Sequence, residues 1–339
     1  MFFLVPEEVL RYFDKRIEEH LNASLADRTS LTYNSQCNQF LMFAFWTCGA
    51  KPFLPASDTL LCQYLEWQIG SVDPKNLGGY LSAIRNLHLS LGLPWVELRD
   101  RHIVRWVIKG MRRLIGTPRK QKLAMTPELL VRMRLCGKIR WCDPRMKVIW
   151  AAMLLAFFTM SRKDNFSVDK IDAFNPRKHL TRSDVKVLKS GVHCTFRRSK
   201  TNQFGSRVHQ VFALASPGTI LDPKAAVEEA FAVAPRARPS DPAFLLPSAN
   251  GLAPLTHFVF VGSVKHCVQQ VGLDPSGYSG HSFRRGGATL AHRLGIDPLL
   301  IKRMGDWSSD AYMDYVDPHT PEGLVSLPVA MTSLCAQLG

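Results

Sequence analysis

The sequence lacks several of the patterns that mark common chemistries. Its eight cysteines (37, 48, 62, 136, 142, 194, 267 and 335) are scattered, with no C-x-x-C pair and no zinc-ligand spacing. In a chain of this length, that usage points to reduced thiols in a cytosolic or nuclear protein. His257, His266 and Cys267 lie near one another but form no ligand set, so neither metal nor cofactor is expected. No apolar run reaches membrane-spanning length, and the longest, 148–160, reads as a buried helix; no membrane partner is expected. Met1-Phe2-Phe3-Leu4-Val5 is too short for a signal peptide and meets Pro6-Glu7-Glu8 at once, so no export signal is expected. A phosphate-cradling glycine loop, a carboxylate cluster, internal repeats and low-complexity tracts are all missing. Nucleotide hydrolysis and metal-dependent nuclease chemistry lose their usual supports.

What the chain does have is positive charge, in one place. The net charge is +15, and residues 119–217 carry 21 Lys and Arg against 6 Asp and Glu. Residues 1–118 carry 13 against 11, and residues 218–339 carry 9 against 11. A generally basic protein would spread its excess, whereas one central block suits a surface facing a polyanion such as nucleic acid.

With 339 residues, of which 46% are hydrophobic and 21% charged, the chain should fold as two domains. Helical spacing appears in 6–21, then in a helix opened by Ser30 and stopped by Gly49, with Tyr33, Cys37, Phe40, Leu41, Ala44 and Phe45 on one stripe. Ser57 or Asp58 caps a third helix through Trp67; 76–91 and 101–115 complete a five-helix domain over residues 1–117. Residues 118–125 form a basic linker expected to lie along a phosphate backbone, with Arg119, Lys120 and Lys122 as candidate contacts.

Thr126-Pro127-Glu128 is an N-cap with proline at the first helical position, and it opens a second domain over 126–320. Helices 126–136 and 144–160 lead to Thr159-Met160-Ser161-Arg162, with Asp164 as the nearest candidate partner for the arginine. Residues 181–188, 191–198 and 207–214 alternate as strands, with Lys200 on the turn between the last two and Arg197 and Arg198 as further candidate phosphate contacts. Residues 223–233 and 256–272 read as helices, with a short strand at 244–246. The architecture expected is mainly α with a small antiparallel β-sheet, an all-α domain and an α+β domain closing as a C-shaped DNA clamp. Residues 321–339 form an apolar tail expected to dock on another surface, in its own chain or a neighbour's.

Residues 280–317 carry the densest chemistry. His281 and Arg284 stand one helical turn apart and share a face, so both can grip one anion. Arg285 follows as another candidate contact, and Gly286-Gly287 places two poor helix formers in the same helix. Those glycines allow close approach either to a ligand or tyrosine segment, or to the core. Gly305-Asp306-Trp307 comes next, then Tyr312 and Tyr315. Arginine, imidazole, indole N–H and phenol are the groups needed to break a phosphodiester by attack of a tyrosyl oxygen.

Over residues 24–318 the chain resembles the tyrosine recombinases of lambda-integrase type, especially those of eukaryotic DIRS-like and Crypton mobile elements. The resemblance rests on Arg162 after a buried helix, Lys200 on a hairpin, the H-x-x-R of His281 and Arg284, Gly305-Asp306-Trp307, and Tyr315, in that order. It implies a core-binding domain followed by a catalytic domain. It also implies a site-specific integrase that cuts through a 3′-phosphotyrosyl link and works as a homo-tetramer on two duplexes carrying recombination sites. The catalytic set it implies is Arg162, Lys200, His281, Arg284, Trp307 and Tyr315. Nuclear localisation follows for a eukaryotic mobile element, and cytoplasm or nucleoid otherwise.

Two departures stand out. Asn165 occupies a position where the family has an acid, with Asp164 as a possible substitute. Counting from His281 places Trp307 in the His/Trp slot, but counting from Tyr315 places Asp306 there; the indole is preferred because a carboxylate repels phosphate. Tyr312 is the rival nucleophile, taken as packing. A topoisomerase of type IB and a silent DNA-binding derivative of a mobile element are the alternative functions.

Overall fold

The computed structural model describes residues 15–16, 19–20, 24–49, 51–116, 121–198, 202 and 207–314. The chain divides into two compact units, Met1–Lys120 and Gln121–Gly339. Of the helix expected over 6–21, residues 15, 16, 19 and 20 are described and helical; the tail 321–339 lies outside the described residues. Among those residues, no helix is long and apolar enough to cross a membrane. All the described cysteines are free thiols.

In the first unit, α1 (Asp27–Cys48), α2 (Asp58–Trp67), α3 (Leu77–Ser90) and α4 (His102–Ile115) enclose one core. Ser57 Oγ accepts from Leu60 N at 3.2 Å and so caps α2. Phe40, Phe43 and Ala44 of α1 point inward against Leu61, Tyr64, Leu65, Leu77, Ile84 and Val104. Phe45, expected on that stripe, is 62% exposed. Five positions at 100° each carry it about 140° from Phe40, so the inward place falls to Phe43. Arg101, buried, donates to Asp58 and to Val96 O (2.9 Å), and its guanidinium lies 4.6 Å from the Trp95 ring centre.

The second unit is built round α6 (Pro144–Phe158), where ten consecutive residues from Val148 to Phe157 are buried. A helix apolar on every face must be covered on every face. Its neighbours are α7 (Pro223–Val233), α9 (Gly280–Arg293) and β4 (Leu245–Ser248). The preceding α5 (Pro127–Leu135) is capped by Thr126 Oγ1, which accepts from Leu129 N at 3.2 Å. Three antiparallel strands, β1 (Val185–Leu188), β2 (Gly191–Phe196) and β3 (His209–Leu214), stand in the order β1-β2-β3, with Val185 opposite Cys194 and Phe196 opposite His209. The first strand is shorter than its alternation suggests. Asp184 accepts from both Thr181 N (2.9 Å) and Thr181 Oγ1 (2.7 Å), winding Arg182–Asp184 into a 3-10 turn. β4 pairs with β5 (Gly251–Pro254) in a hairpin absent from the sequence reading. α8 (His257–Gln270) and α10 (Pro298–Met304) complete the unit.

Candidate functional site

Arg162 and Arg284 are far apart in sequence, and the end of α6 brings them together. Thr159 Oγ1 donates to Leu155 O at 2.5 Å, closing the last turn, and Met160 then takes a left-handed conformation (φ 51°). That reversal aims the Met160 carbonyl at Arg284, whose Nη1 donates to it at 2.7 Å. The same nitrogen donates to Gly305 O at the end of α10. Among the described residues, Met160 and Asp306 (φ 55°) are the non-glycine residues of positive φ, and both flank this guanidinium. Such conformations cost about 1–2 kcal/mol each and persist where surrounding contacts enforce them.

Arg284 is 1% exposed. Its guanidinium carbon lies 3.5 Å from the centre of the Trp307 ring, which covers one face. Hydrogen bonds from a charged donor contribute about 1.5–3 kcal/mol each, and a desolvated cation–π contact about 2 kcal/mol. Together they offset the cost of taking the charge out of water. Trp307 can lie there because Gly305 has no side chain: a Cβ at Gly305 would sit 1.7 Å from Trp307 Cζ3. Tyr312, 5% exposed, packs edge-on at 6.3 Å from Trp307, in a cluster with Met160, Ala288 and Ile301.

The paired glycines of α9 serve the core. A Cβ on Gly286 would fall 1.7 Å from Met125 O, and one on Gly287 would fall 2.4 Å from Phe157 O. The helix therefore lies directly on the backbone of α6 and of the segment before α5, and Met125 N donates to Ser282 O at 2.8 Å. Of the two readings of Gly286-Gly287, close packing in the core is the observed one.

The carboxylate partner of Arg162 is also other than expected. Arg162 Nη1 lies 3.9 Å from Asp306 Oδ2, whereas Asp164 accepts from Lys163 Nζ (2.6 Å) and lies 3.1 Å from His257 Nε2. Asp306 is 3% exposed and also accepts from Arg207 Nη2, just before β3. Asn165 is buried and neutral, so Asp306 is the buried acid beside Arg162. Asp306 and Trp307 thus take different partners: the carboxylate meets Arg162 and Arg207, and the indole meets Arg284.

His281 lies at the surface one turn before Arg284, on a helix opened by Ser279 and by the close fit of Gly280 against Lys163. Crowding on its inner side removes water from the imidazole, and Arg284, Lys163 and Arg162 repel a proton there. Its pKa is held below the ordinary histidine value, with Asp164 pulling the other way. His209, on β3, is also pushed down by desolvation, and its Nε2 donates to Met304 O at 3.1 Å. The site therefore holds cationic guanidinium groups beside an imidazole kept neutral.

Of the remaining candidates, Tyr315, Lys200, Arg119 and Lys120 lie outside the described residues. Asn202, two positions after Lys200, is buried, and its amide donates to Arg197 O (3.1 Å) and Arg207 O, closing the base of the turn between β2 and β3. Arg197 is engaged within the fold, making two bonds of 2.6 and 2.7 Å to Asp184. Arg198 is exposed. Lys122 donates to Ser276 O at 2.9 Å. Arg285 donates to Gln121 Oε1 (2.6 Å) and to Asp314 O (3.3 Å), the carbonyl immediately before Tyr315. Among the described residues, no group of three or more His, Cys, Asp or Glu is placed to hold a metal ion.

Two features escaped the sequence reading. Arg207 and Asp306 meet across about a hundred residues, with no local signal beyond a non-glycine residue placed after a helix-ending glycine. In the first unit, a groove of about 370 Å³ is lined by Arg105, Trp106, Lys109 and Arg112 along α4. The even charge balance of residues 1–118 hid this basic face.

These elements, with a helical first unit and an α-plus-hairpin second unit, make up the fold of the lambda-integrase-type tyrosine recombinases. Solved structures carry that identification; no family model and no curated protein matches the chain. A lambda integrase solved as a dimer bound to a COC′ core site is similar at TM-score 0.58 and 13% identity, over 92% of this chain and 96% of that one. The Tn1549 transposon integrase in complex with a circular intermediate DNA is similar at TM-score 0.58 and 12% identity, over 94% and 98%. The XerH site-specific recombinase bound to its difH substrate, a pre-cleavage complex, is similar at TM-score 0.58 and 15% identity, over 88% and 78%.

Proposed function

We propose that the chain is a site-specific DNA recombinase of the tyrosine type, which cleaves and rejoins strands to integrate or excise a mobile element. The observation that carries the reading is the convergence of Arg162, His281, Arg284 and Trp307 on one spot of a recombinase fold. Binding DNA alone does not require that constellation.

In this mechanism a non-bridging phosphate oxygen gathers charge as Tyr315 attacks, and arginine forks are suited to hold it. Arg162 and His281 meet the phosphate first. Arg284 supplies its charge from beneath Trp307 and makes direct contact only when the 305–314 segment shifts. Trp307 fills the His/Trp slot, with Tyr312 as its packing partner. The Tyr315 proton passes to neutral His281 or to water, the P–O5′ bond breaks, and the departing oxygen takes a proton from Lys200. The products are a 3′-phosphotyrosyl link and a 5′-hydroxyl. The ester energy is retained, so rejoining needs no nucleotide. Duplex DNA is held by the cationic groove on α4 together with Arg119, Lys120, Lys122, Arg198 and Arg285. Four copies join two duplexes, with the 321–339 tail reaching a neighbour.

The test is a selected pool of nicked duplexes, which trap the covalent intermediate, resolved on a denaturing gel. A protein–DNA band is expected, and it vanishes in Tyr315→Phe. A band that survives that substitution removes Tyr315 as nucleophile. Two differently labelled duplexes should also yield recombinant joints; relaxed supercoils without joints would favour a topoisomerase.

A further inference from the structure

Asp306 is a buried carboxylate with cations on both sides. Arg207, on one side, stands at the foot of β3, where the turn carrying Lys200 ends. Arg162, on the other, follows α6. The carboxylate lies at the rim of a pocket of about 230 Å³ lined by Arg207, His209, Gln210, Lys302, Arg303 and Trp307. A buried acid is costly unless it is paired, and here Arg207 donates to Oδ1 while the Arg162 guanidinium stands 3.9 Å from Oδ2. The left-handed backbone at Asp306 holds it in place, and aspartate and asparagine tolerate that conformation better than other side chains.

We infer that Asp306 is a positioning residue that ties the foot of the Lys200 hairpin, through Arg207, to Arg162, so that the two halves of the site move as one. This role rests on the recombinase reading for its effect on strand cleavage, and on geometry alone for the tie. Asp306 takes over charge balancing at Arg162 where Asn165 has none to give.

Asp306→Asn is the informative change, because it keeps the shape and the backbone preference while it removes the charge and turns one acceptor oxygen into an amide donor. In the DNA-free full chain, amide hydrogen exchange of His209 and Val211 in β3 should speed up in Asp306→Asn and in Arg207→Gln. Unchanged exchange in both overturns the tie. With the nicked duplexes, Asp306→Asn should slow covalent-complex formation at saturating DNA by about tenfold or more, with DNA binding as tight as before or tighter. Arg207→Gln should also slow it, and the double variant should be no slower than Asp306→Asn. Rate and affinity falling in parallel, or fully additive effects of the two substitutions, would show Asp306 to be only part of the fold. If the unaltered chain forms no covalent complex, the recombinase reading fails, and the exchange measurement still decides the tie.

Discussion

Replacing Gly305 by alanine probes the arrangement at Arg284 without altering any charge. The Gly305 backbone (φ −82°, ψ 0°) is open to any residue, so the methyl group itself is the whole perturbation. Built in place, it lies 1.7 Å from Trp307 Cζ3. Carbon atoms in contact keep about 3.5–4.0 Å, so the indole must retreat by about 2 Å. That movement breaks the 3.5 Å stacking on Arg284. Overpacking costs about 1–3 kcal/mol, which includes the lost cation–π contact. A loss of about 2 kcal/mol lowers the melting temperature of a unit this size by about 4–8 °C. Trp307→Ala alone should cost about 3 kcal/mol, and adding Gly305→Ala to it should be neutral or slightly stabilising, since the three atoms nearest the methyl all belong to Trp307 and the methyl restricts the unfolded chain. Scanning calorimetry of the full chain, following the transition that Trp307→Ala shifts, measures all four corners of this cycle. Equal destabilisation by Gly305→Ala in both backgrounds, or none in either, would refute the stacking of Trp307 over Gly305.

Gly286→Ala should be worse than Gly305→Ala, about 3 kcal/mol or more, because its methyl meets the Met125 carbonyl rather than a side chain that can swing away; the same calorimetry ranks the two. Stability should also fall on mild acidification. His179, His209, His257 and His281 are all held below the ordinary histidine value, chiefly by desolvation. The folded chain therefore binds fewer protons than the unfolded one, so their contribution is complete above about pH 6.5 and is lost as pH falls through the depressed values. Urea midpoints compared at about pH 7.5 and 5.5 should show the decrease, and a flat response would mean that these imidazoles are not desolvated.

The solved relatives share about one residue in eight with this chain, so its fold is carried by pattern rather than identity. The caps at Ser57 and Thr126, the wholly apolar run of α6 and the strand alternation of 191–198 and 207–214 are local signals, although the strands formed are Gly191–Phe196 and His209–Leu214 and α1 begins at Asp27, ahead of the expected Ser30. Boundaries and facing residues slipped where another local preference competed. Asp184 folds back on Thr181 and shortens β1. Phe43 displaces Phe45 from the core because helical phase, not hydrophobicity, chooses the inward residue.

The candidate site divides along the same line. The elements on which Arg162, His281, Arg284 and Trp307 stand were legible from the amino acids, because the apolar run before Arg162 and the one-turn spacing of His281 and Arg284 are local properties. Only tertiary structure paired Arg162 with Asp306 instead of Asp164, laid Trp307 against Arg284, and put Gly286 and Gly287 against backbone. Salt bridges, ring stacking and backbone-to-backbone contact depend on which distant segments pack together. A chain read position by position carries the charges and the spaces, but not the neighbours that fill them.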